Sequence, residues 1–427
     1  IRDILGRSDR RPFFDSLSEI IENEYKNKTV SSDDIPEVRF QRREVSITEM
    51  NEHLQDILFE GDIVVTPQFL ERIVDSSLQR QERREKRQAT HDDNYPKSLW
   101  SDGIAYVISP NLSSNTRRSI LRAISFWQSE SCVDFWERRN EVQYLHFING
   151  DGCWSSVGKD QSNGPQSISI GNGCSHIGAN EMSTYNLPYD IGSVMHYAPT
   201  EFAIDRRFPA LTAIDPNLQF SMGSLIGPSF VDIALLNTHY NCASKCLPNT
   251  LDCLNGGLID SRDCTRCKCP TGFGGILCDQ VQSSFTPSCG GIVQVGEDVR
   301  RFTITIRQND TVRDKQCVYH LQGPDRRRIL INVLSVDARC VEGCHIDMAE
   351  FKMLTDLRPV GYRVCCNEQR GSRFVSVGST VPALFLSSAN TFSFRFEYTL
   401  YSHRAVRSLS KMKTEHPYSS EIVVGVQ

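Results

Sequence analysis

The sequence predicts a multidomain protein that combines a mixed α+β domain, a small disulfide-rich module and an all-β sandwich, in that order along the chain. Its 427 residues suggest about three domains, since a domain has roughly 150 residues. The sixteen cysteines are clustered: the first 131 residues contain none, whereas residues 246–278 contain six. Alternating apolar runs follow from residue 289 to about residue 400. These three observations place the module and the sandwich after a cysteine-poor α+β region.

The composition is that of an ordinary globular protein. The 47 basic and 52 acidic side chains give a net charge of −5, and nothing indicates a nucleic-acid partner. No stretch approaches the ~18 consecutive apolar residues of a membrane-spanning helix, so no membrane span is expected. Clustered cysteines in even number are typical of secreted disulfide modules, and three sequons for glycosylation agree with secretion: Asn27, Asn111 and Asn309. Structural zinc at Cys264 and Cys267 is the weaker alternative, because no second CxxC pair follows.

Residues 1–87 are polar and charged, with helical patterns at residues 14–24 and 48–58. They end in a basic run that contains Arg84, Lys86 and Arg87. Such a run is often the exposed face of a charged helix. Its position between a cysteine-free and a cysteine-bearing region instead favours a propeptide that a proprotein convertase removes at Arg87.

Residues 88–245 predict the α+β domain. Apolar residues recur at helical spacing after a polar start, at Ile120, Ala123, Ile124 and Trp127, and residues 142–148 predict a strand. Four cysteines in this region predict two disulfides.

The order of the six cysteines in residues 246–278 resembles that of an EGF-like module. The resemblance implies three pairs: Cys246–Cys264, Cys253–Cys267 and Cys269–Cys278. Calcium-binding members carry acidic residues just before the first cysteine, whereas this chain has Ala243, Ser244 and Lys245, so no calcium is expected there.

Residues 289–400 predict strands at 302–306, 329–333 and 392–398. The Cys289-Gly-Gly start and the closing Phe-Arg-Phe-Glu-Tyr resemble a CUB domain, which implies the pairs Cys289–Cys317 and Cys344–Cys365, with Cys340–Cys366 as an extra bridge. Asp347 lies where calcium-binding CUB domains have a carboxylate, but Ser387 and Ser388 replace a second one, which argues against calcium. The tail, residues 401–427, resembles no known module.

Several local motifs resemble the astacin family of zinc metalloproteases, whose catalytic domain has the α+β metzincin fold. Together with the order of the propeptide, the EGF-like module and the CUB domain, the resemblance covers nearly everything from about residue 54 to residue 400. The motifs are specific in sequence and order: Phe59-Glu-Gly-Asp62, Tyr95-Pro-Lys-Ser-Leu-Trp100, Cys132-Val-Asp-Phe135, Gly152-Cys-Trp-Ser-Ser-Val-Gly158, Gly173-Cys174 and Tyr189-Asp-Ile-Gly-Ser-Val-Met-His-Tyr197. The resemblance implies Cys132–Cys242 and Cys153–Cys174 as the two disulfides of this domain.

The family signature HExxHxxGxxH, which supplies three zinc ligands and the general-base glutamate, is missing. It is expected between Cys174 and Ser193, where the chain instead joins Gly178 to Ala179. None of the ten histidines precedes a glutamate, and no two lie within five positions. We therefore predict an internal deletion near residues 178–180, a central domain that is poorly folded, and no zinc bound to this chain, although the family requires zinc.

Other parts of the family site are present. The resemblance implies that Met195 forms the apolar methionine turn beneath the metal, that Tyr197 is the tyrosine that reaches the zinc or the oxyanion, and that Asp62 is the propeptide switch on the metal. Asp62 and Tyr197 would be metal ligands only if the missing histidines were restored. His176 and Glu181 are five residues apart without helical periodicity, so a zinc-binding pair is not expected there.

Two functions remain open. The first is a secreted astacin-like zymogen of a zinc endopeptidase that acts on extracellular matrix or cuticle proteins and is inactive in this form. The second is a non-catalytic secreted protein that binds extracellular partners through its EGF-like and CUB modules and retains a relic protease domain.

Overall fold

The computed structural model describes two compact units. The described residues are 47–59, 61–64, 95–96, 98–159, 163–171, 174, 185, 187–203, 205, 207–248, 251–286, 288–307, 315–388, 391–402 and 421–426. The first unit contains Glu44–Tyr185 and Thr200–Ala210, and the second contains Asn186–Pro199 and Leu211–Gln427. The region predicted as one α+β domain, residues 88–245, therefore contributes to both units. Within the described residues, no helix has the length and apolar character needed to cross a membrane.

The first unit is built on a mixed sheet with the strand order β1-β2-β6-β7-β5-β3-β4. Strands β7, β5, β3 and β4 are mutually parallel, and β6 runs antiparallel to β7. The strands are β1 (Leu58–Phe59), β2 (Ile63–Val64), β3 (Ile104–Ile108), β4 (Phe135–Glu137), β5 (Tyr144–Ile148), β6 (Cys153–Ser155) and β7 (Pro165–Ile170).

One long helix covers this sheet. A short helix, α1 (Ile47–Met50), precedes it, and the long helix α2 spans Ser114–Glu130. Ser113 caps α2, because its hydroxyl accepts a hydrogen bond from the amide of Thr116 at 3.1 Å. Ile120 and Ile124 are buried in a cluster with strand residues of the sheet. The helix predicted from apolar spacing and the strand predicted at 142–148 are both confirmed.

The N-terminal segment, residues 47–59 and 61–64, adds a hairpin to the free edge of this sheet. Strand β2 pairs in parallel with β6 through Ile63 and Ser155. Leu54, Leu58 and Val64 form a buried cluster with Trp154. The helix predicted over residues 48–58 is thus only partly right: the chain leaves the α-helix at Met50, forms a 3-10 turn over Glu52–Leu54, and extends into β1. The predicted helix at 14–24 lies outside the described residues.

The second unit contains the small disulfide module, residues 246–278. Its two ladders pair β8 (Leu258–Ile259) with β9 (Cys267–Lys268), and β10 (Phe273–Gly274) with β11 (Gln280–Val281). Disulfides join Cys246 to Cys264, Cys253 to Cys267 and Cys269 to Cys278.

The C-terminal sandwich (β12–β21) has two five-stranded sheets, with the orders β12-β14-β19-β16-β17 and β18-β15-β20-β13-β21. Its strands are β12 (Gly291–Gln294), β13 (Arg300–Arg307), β14 (Lys315–Gln322), β15 (Ile329–Asp337), β16 (Asp347–Phe351), β17 (Tyr362–Val364), β18 (Arg373–Val375), β19 (Thr380–Ser387), β20 (Thr391–Leu400) and β21 (Glu421–Val426). All three predicted strands are confirmed, in β13, β15 and β20. Packed aromatic rings fill the core: Phe302, Phe351, Phe385, Phe394 and Phe396.

The tail contributes a strand that the sequence did not predict. Strand β21 pairs in parallel with β13, from Arg301 opposite Glu421 to Ile306 opposite Val426. The side chain of Val426 is buried in the sandwich core. Strand β21 therefore lies at the edge of its sheet and is part of the sandwich.

Disulfides outside the small module join Cys153 to Cys174 in the first unit and Cys289 to Cys317, Cys340 to Cys366 and Cys344 to Cys365 in the sandwich. The pair Cys132–Cys242 stays a prediction.

Candidate functional site

The methionine turn, residues 193–197, is held by a chain of hydrogen bonds in the second unit. The hydroxyl of Ser193 donates to Oδ1 of Asp232 at 2.6 Å and accepts from the amide of Met195 at 3.0 Å. The amide of His196 donates to the carbonyl of Ser193 at 3.0 Å. Met195 and Tyr197 are both half-buried. The two residues that the resemblance singled out therefore lie on one tight turn, and Asp232 anchors that turn.

Asp232 is fixed because it also lies in the first turn of a helix. Helix α3 spans Phe230–His239, and Ser229 is its N-cap. The amide of Asp232 donates to the Ser229 hydroxyl at 3.2 Å, and the Ser229 amide donates to Oδ2 of Asp232 at 2.7 Å. This reciprocal pair is a capping box, which the sequence Ser-Phe-Val-Asp encodes locally. Oδ2 of Asp232 thus completes the cap of α3, and Oδ1 holds the methionine turn.

Asp190 precedes the turn and is only 4% exposed. Its Oδ1 accepts hydrogen bonds from the amides of Gly192 at 3.0 Å and Val360 at 3.1 Å. Burial, followed by the negative charge of Asp232, raises the pKa of Asp190 to about 6. Burial also raises the pKa of Asp232, against the bonds from Ser193 and Ser229. Both carboxylates therefore resist ionisation more than an exposed aspartate does.

Two aromatic side chains of this segment, Tyr189 and His196, pack against each other. The rings of Tyr189 and His196 meet edge to face, with centroids 5.7 Å apart. Burial, followed by the negative charge of Asp190, raises the pKa of Tyr189. Burial lowers the pKa of His196, whose Nδ1 lies 2.7 Å from the carbonyl oxygen of Tyr197. That contact fits a neutral imidazole that donates from Nδ1.

Asp62 lies in the first unit, between β1 and β2, and is half-buried. Its carbonyl accepts a hydrogen bond from the amide of Ser155 at 3.1 Å, so the backbone of the residue is part of the sheet edge. Nearby, Asn51 is fully buried, and its side chain pairs with both backbone groups of Cys153: Oδ1 accepts from the amide at 2.8 Å and Nδ2 donates to the carbonyl at 2.5 Å. Sequence reasoning missed Asn51, Asp190 and Asp232. Of these, only Asp232 has a local signal, the capping box.

No group of candidate ligands in the part of the chain that the structure describes fits a zinc ion. Among the described residues, the only group of three candidate ligands is Cys340, Cys366 and Glu368, and its two cysteines are joined in a disulfide. Disulfide sulfur is not the thiolate that zinc requires. His176 and Glu181 lie outside the described residues, as do Arg84, Lys86, Arg87, Asn27 and Asn309. Asn111 is exposed, shortly before α2.

Asp347 in the sandwich is surrounded by its own protein partners. It is fully buried, and its Oδ1 accepts from the hydroxyl of Ser387 at 2.8 Å. Its Oδ2 accepts from the amide of Arg339 at 3.3 Å and lies 3.7 Å from Nε of the same residue. A guanidinium therefore supplies positive charge beside this carboxylate, as a bound calcium ion would.

Comparison with known proteins gives one consistent family. The sequence model of the Astacin peptidase family matches in two pieces, residues 92–180 and 175–241. The chain is 41% identical to zinc metalloproteinase nas-29 of Caenorhabditis elegans over 466 residues, covering 95% of this chain and 87% of the relative. It is 35% identical to zinc metalloproteinase nas-23 of the same organism, covering 83% of this chain and 74% of the relative.

A solved structure also shows some similarity. The high choriolytic enzyme 1 of Oryzias latipes, a hatching enzyme zinc-protease, is 24% identical and covers 36% of this chain and 94% of its own, with a TM-score of 0.30. The two family-model pieces overlap at residues 175–180, and the alignment with nas-29 is longer than the 427 residues of this chain.

Proposed function

The chain belongs to the astacin family of zinc peptidases, and from that membership we propose that its gene encodes a secreted zymogen of a zinc endopeptidase, whereas the chain in the present form does not hydrolyse peptide bonds. The observation that carries the proposal is the missing HExxHxxGxxH sequence in a chain otherwise similar to the family along its length. A catalytic zinc ion needs three protein ligands, and the water bound to it needs a general base. This sequence supplies neither the three ligands nor the base.

The break in similarity supports a deletion of one contiguous segment. The family match is broken into two pieces that overlap at residues 175–180, where Gly178 is followed by Ala179. Gradual loss of function would leave altered residues at the ligand positions, not a clean junction. We propose that the chain is either a misassembled gene model or a splice form that lacks one exon.

Three further regions of the chain are assigned by resemblance to the family. The basic run ending at Arg87 is the convertase site, the small module is EGF-like, and the sandwich is CUB-like. Both modules bind extracellular proteins, which are matrix or cuticle components by analogy with the nematode relatives. In the alternative, a non-catalytic binding protein, these modules are the functional part.

Sequencing of reverse-transcribed message across the Gly178 and Ala179 codons tests the deletion. An in-frame insert that encodes HExxHxxGxxH supports the protease. A message that reads straight through supports the non-catalytic product.

Zinc analysis of the purified protein tests the chemistry. We expect the present chain to hold no stoichiometric zinc and to leave casein intact at neutral pH after treatment with a convertase. The matched control is the same chain with the insert restored, which should bind one zinc per chain and cleave casein. Zinc-dependent cleavage by the present chain would contradict the proposal.

A further inference from the structure

A loop of the C-terminal sandwich, residues 352–361 between β16 and β17, contacts the residues just before the methionine turn. The amide of Val360 donates to Oδ1 of Asp190 at 3.1 Å. Gly192 lies against the same residue: a Cβ added to Gly192 would be 2.4 Å from Cβ of Val360. Real Cβ atoms do not approach this closely, so this packing requires glycine at position 192.

A second set of contacts joins residues 361–362 of the sandwich to residues 215–221. The hydroxyl of Ser221 donates to the carbonyl of Gly361 at 2.8 Å. The hydroxyl of Tyr362 donates to Oδ2 of Asp215 at 2.5 Å. Burial, followed by this hydrogen bond, raises the pKa of Tyr362. These bonds extend the contact to residues 215–221, which lie between the methionine turn and α3.

The buried side chain of Arg363, which is paired with Glu350, attaches the sandwich to Ser224. Nη1 of Arg363 donates to the hydroxyl of Ser224 at 2.6 Å, and its Nε donates to Glu350 at 2.9 Å. All three residues are at most 5% exposed. Burial alone would raise the pKa of Glu350, but the charges of Arg363 and Lys352 outweigh it and lower the value. A buried pair of this kind fixes geometry, because removing one partner leaves an uncompensated charge.

The loop is also held from within. Nζ of Lys352 is buried and donates to the carbonyls of Leu357 at 3.0 Å and Pro359 at 2.6 Å. The amide of Gly361 donates to Glu350 at 2.9 Å. Its conformation is thus set by the sandwich itself, before any contact with Asp190.

We infer that the C-terminal sandwich is a structural support for the methionine turn, in which Val360 and Asp190 are the positioning residues. A module that served only to bind partners would not need buried polar bonds to the residues before and after the turn. The consequence for catalysis rests on the proposed function, because Met195 and Tyr197 act only in a chain that binds zinc. The positioning itself does not depend on it.

Hydrogen exchange measured by mass spectrometry on the full chain tests this inference. We expect Gly192→Ala to speed exchange in residues 189–200 by about tenfold, because the new methyl group displaces Val360. The double variant Gly192→Ala with Val360→Gly should restore slow exchange. Gly296→Ala is the matched control, since no atom lies within 4 Å of the added Cβ.

Exchange in β15 and β20 provides an internal reference for unfolding of the whole sandwich. Should Gly192→Ala unfold the chain, the pair Asp190→Asn and Asp190→Ala replaces it: asparagine keeps the acceptor oxygen and should keep protection, whereas alanine should lose it. Unchanged exchange in Gly192→Ala, no recovery in the double variant, or equal exchange in the two Asp190 variants would overturn the inference. The measurement needs no zinc, so it stands apart from the test of the proposed function.

Discussion

Asp190 is a buried carboxylate whose protonation is linked to stability. Its pKa is raised from 3.8 to about 6, so the folded chain binds this proton more tightly than the unfolded chain does. The stabilisation from this group is therefore complete below pH ~4 and is lost as the pH rises through about 6. Asp232 acts in the same direction, and the lowered pKa of Glu350 acts in the opposite one. Lys352, also buried, has its pKa lowered by burial.

Asp190→Asn should isolate this contribution, because asparagine resembles the protonated acid. We expect the variant to gain about 1 to 1.5 kcal/mol relative to the unaltered chain between pH 5 and pH 7.5, roughly half of the full linkage energy of the group. Urea unfolding at the two pH values, with disulfides intact, measures the difference. Asp232 and Glu350 are present in both proteins, so to first order their contributions cancel in the comparison. An equal effect of the substitution at both pH values would contradict the assignment.

Asp347 provides a second test at the scale of a residue. With Arg339 and Ser387 as its partners, the sandwich should not need calcium. A site with a Kd of about 10⁻⁴ M would gain about 2 kcal/mol at about 5 mM calcium. We expect the Tm in calcium and in EDTA to agree within about 1 °C. A rise of several degrees in calcium would show that Asp347 exchanges Arg339 for the ion.

At the scale of an element, the sequence predicts the helices and strands that are encoded by the spacing of neighbouring residues. The apolar spacing of Ile120 and Ile124 identified α2, and alternation identified β13, β15 and β20, because these patterns come from the geometry of a single helix or strand. The bond from Val360 to Asp190 spans 170 positions and that from Cys153 to Asn51 spans 102, and no local pattern encodes such contacts. Strand β21 was missed for the same reason, since it is a short strand whose partner lies about 120 residues earlier in the chain.

Asn51 attaches the N-terminal segment to β6 through hydrogen bonds. Its side chain bonds both backbone groups of Cys153 in a buried position, and it also donates to the partly buried carbonyl of Gly61. Asn51→Ala should destabilise the first unit by about 2 to 4 kcal/mol, because two buried backbone groups and one partly buried carbonyl lose their partner. Thermal melting and the exchange rate of residues 153–155 measure the loss.

His53→Ala is the control, because its ion pair with Asp151 is exposed on both sides and should contribute little. Equal effects of the two substitutions would contradict the role of Asn51.

At the scale of the whole molecule, the segment expected to be released as propeptide is part of a folded unit. Residues 47–59 and 61–64 contribute two strands, a buried asparagine and four buried apolar side chains to a sheet whose other strands come from residues 104–170. A cut at Arg87 removes a covalent link, but it removes none of these contacts. Processing and release are therefore separate events in this architecture.

We expect the N-terminal fragment to remain bound after cleavage by a convertase. The first 131 residues contain no cysteine, so the fragment can be retained only by non-covalent contacts. Size-exclusion chromatography should show both fragments in one peak, and non-reducing denaturing electrophoresis should separate them. Asn51→Ala should shift the N-terminal fragment to its own peak, whereas His53→Ala should not. Elution of the unaltered fragment by itself would mean that the hairpin on β6 is too weak to survive the loss of the covalent link.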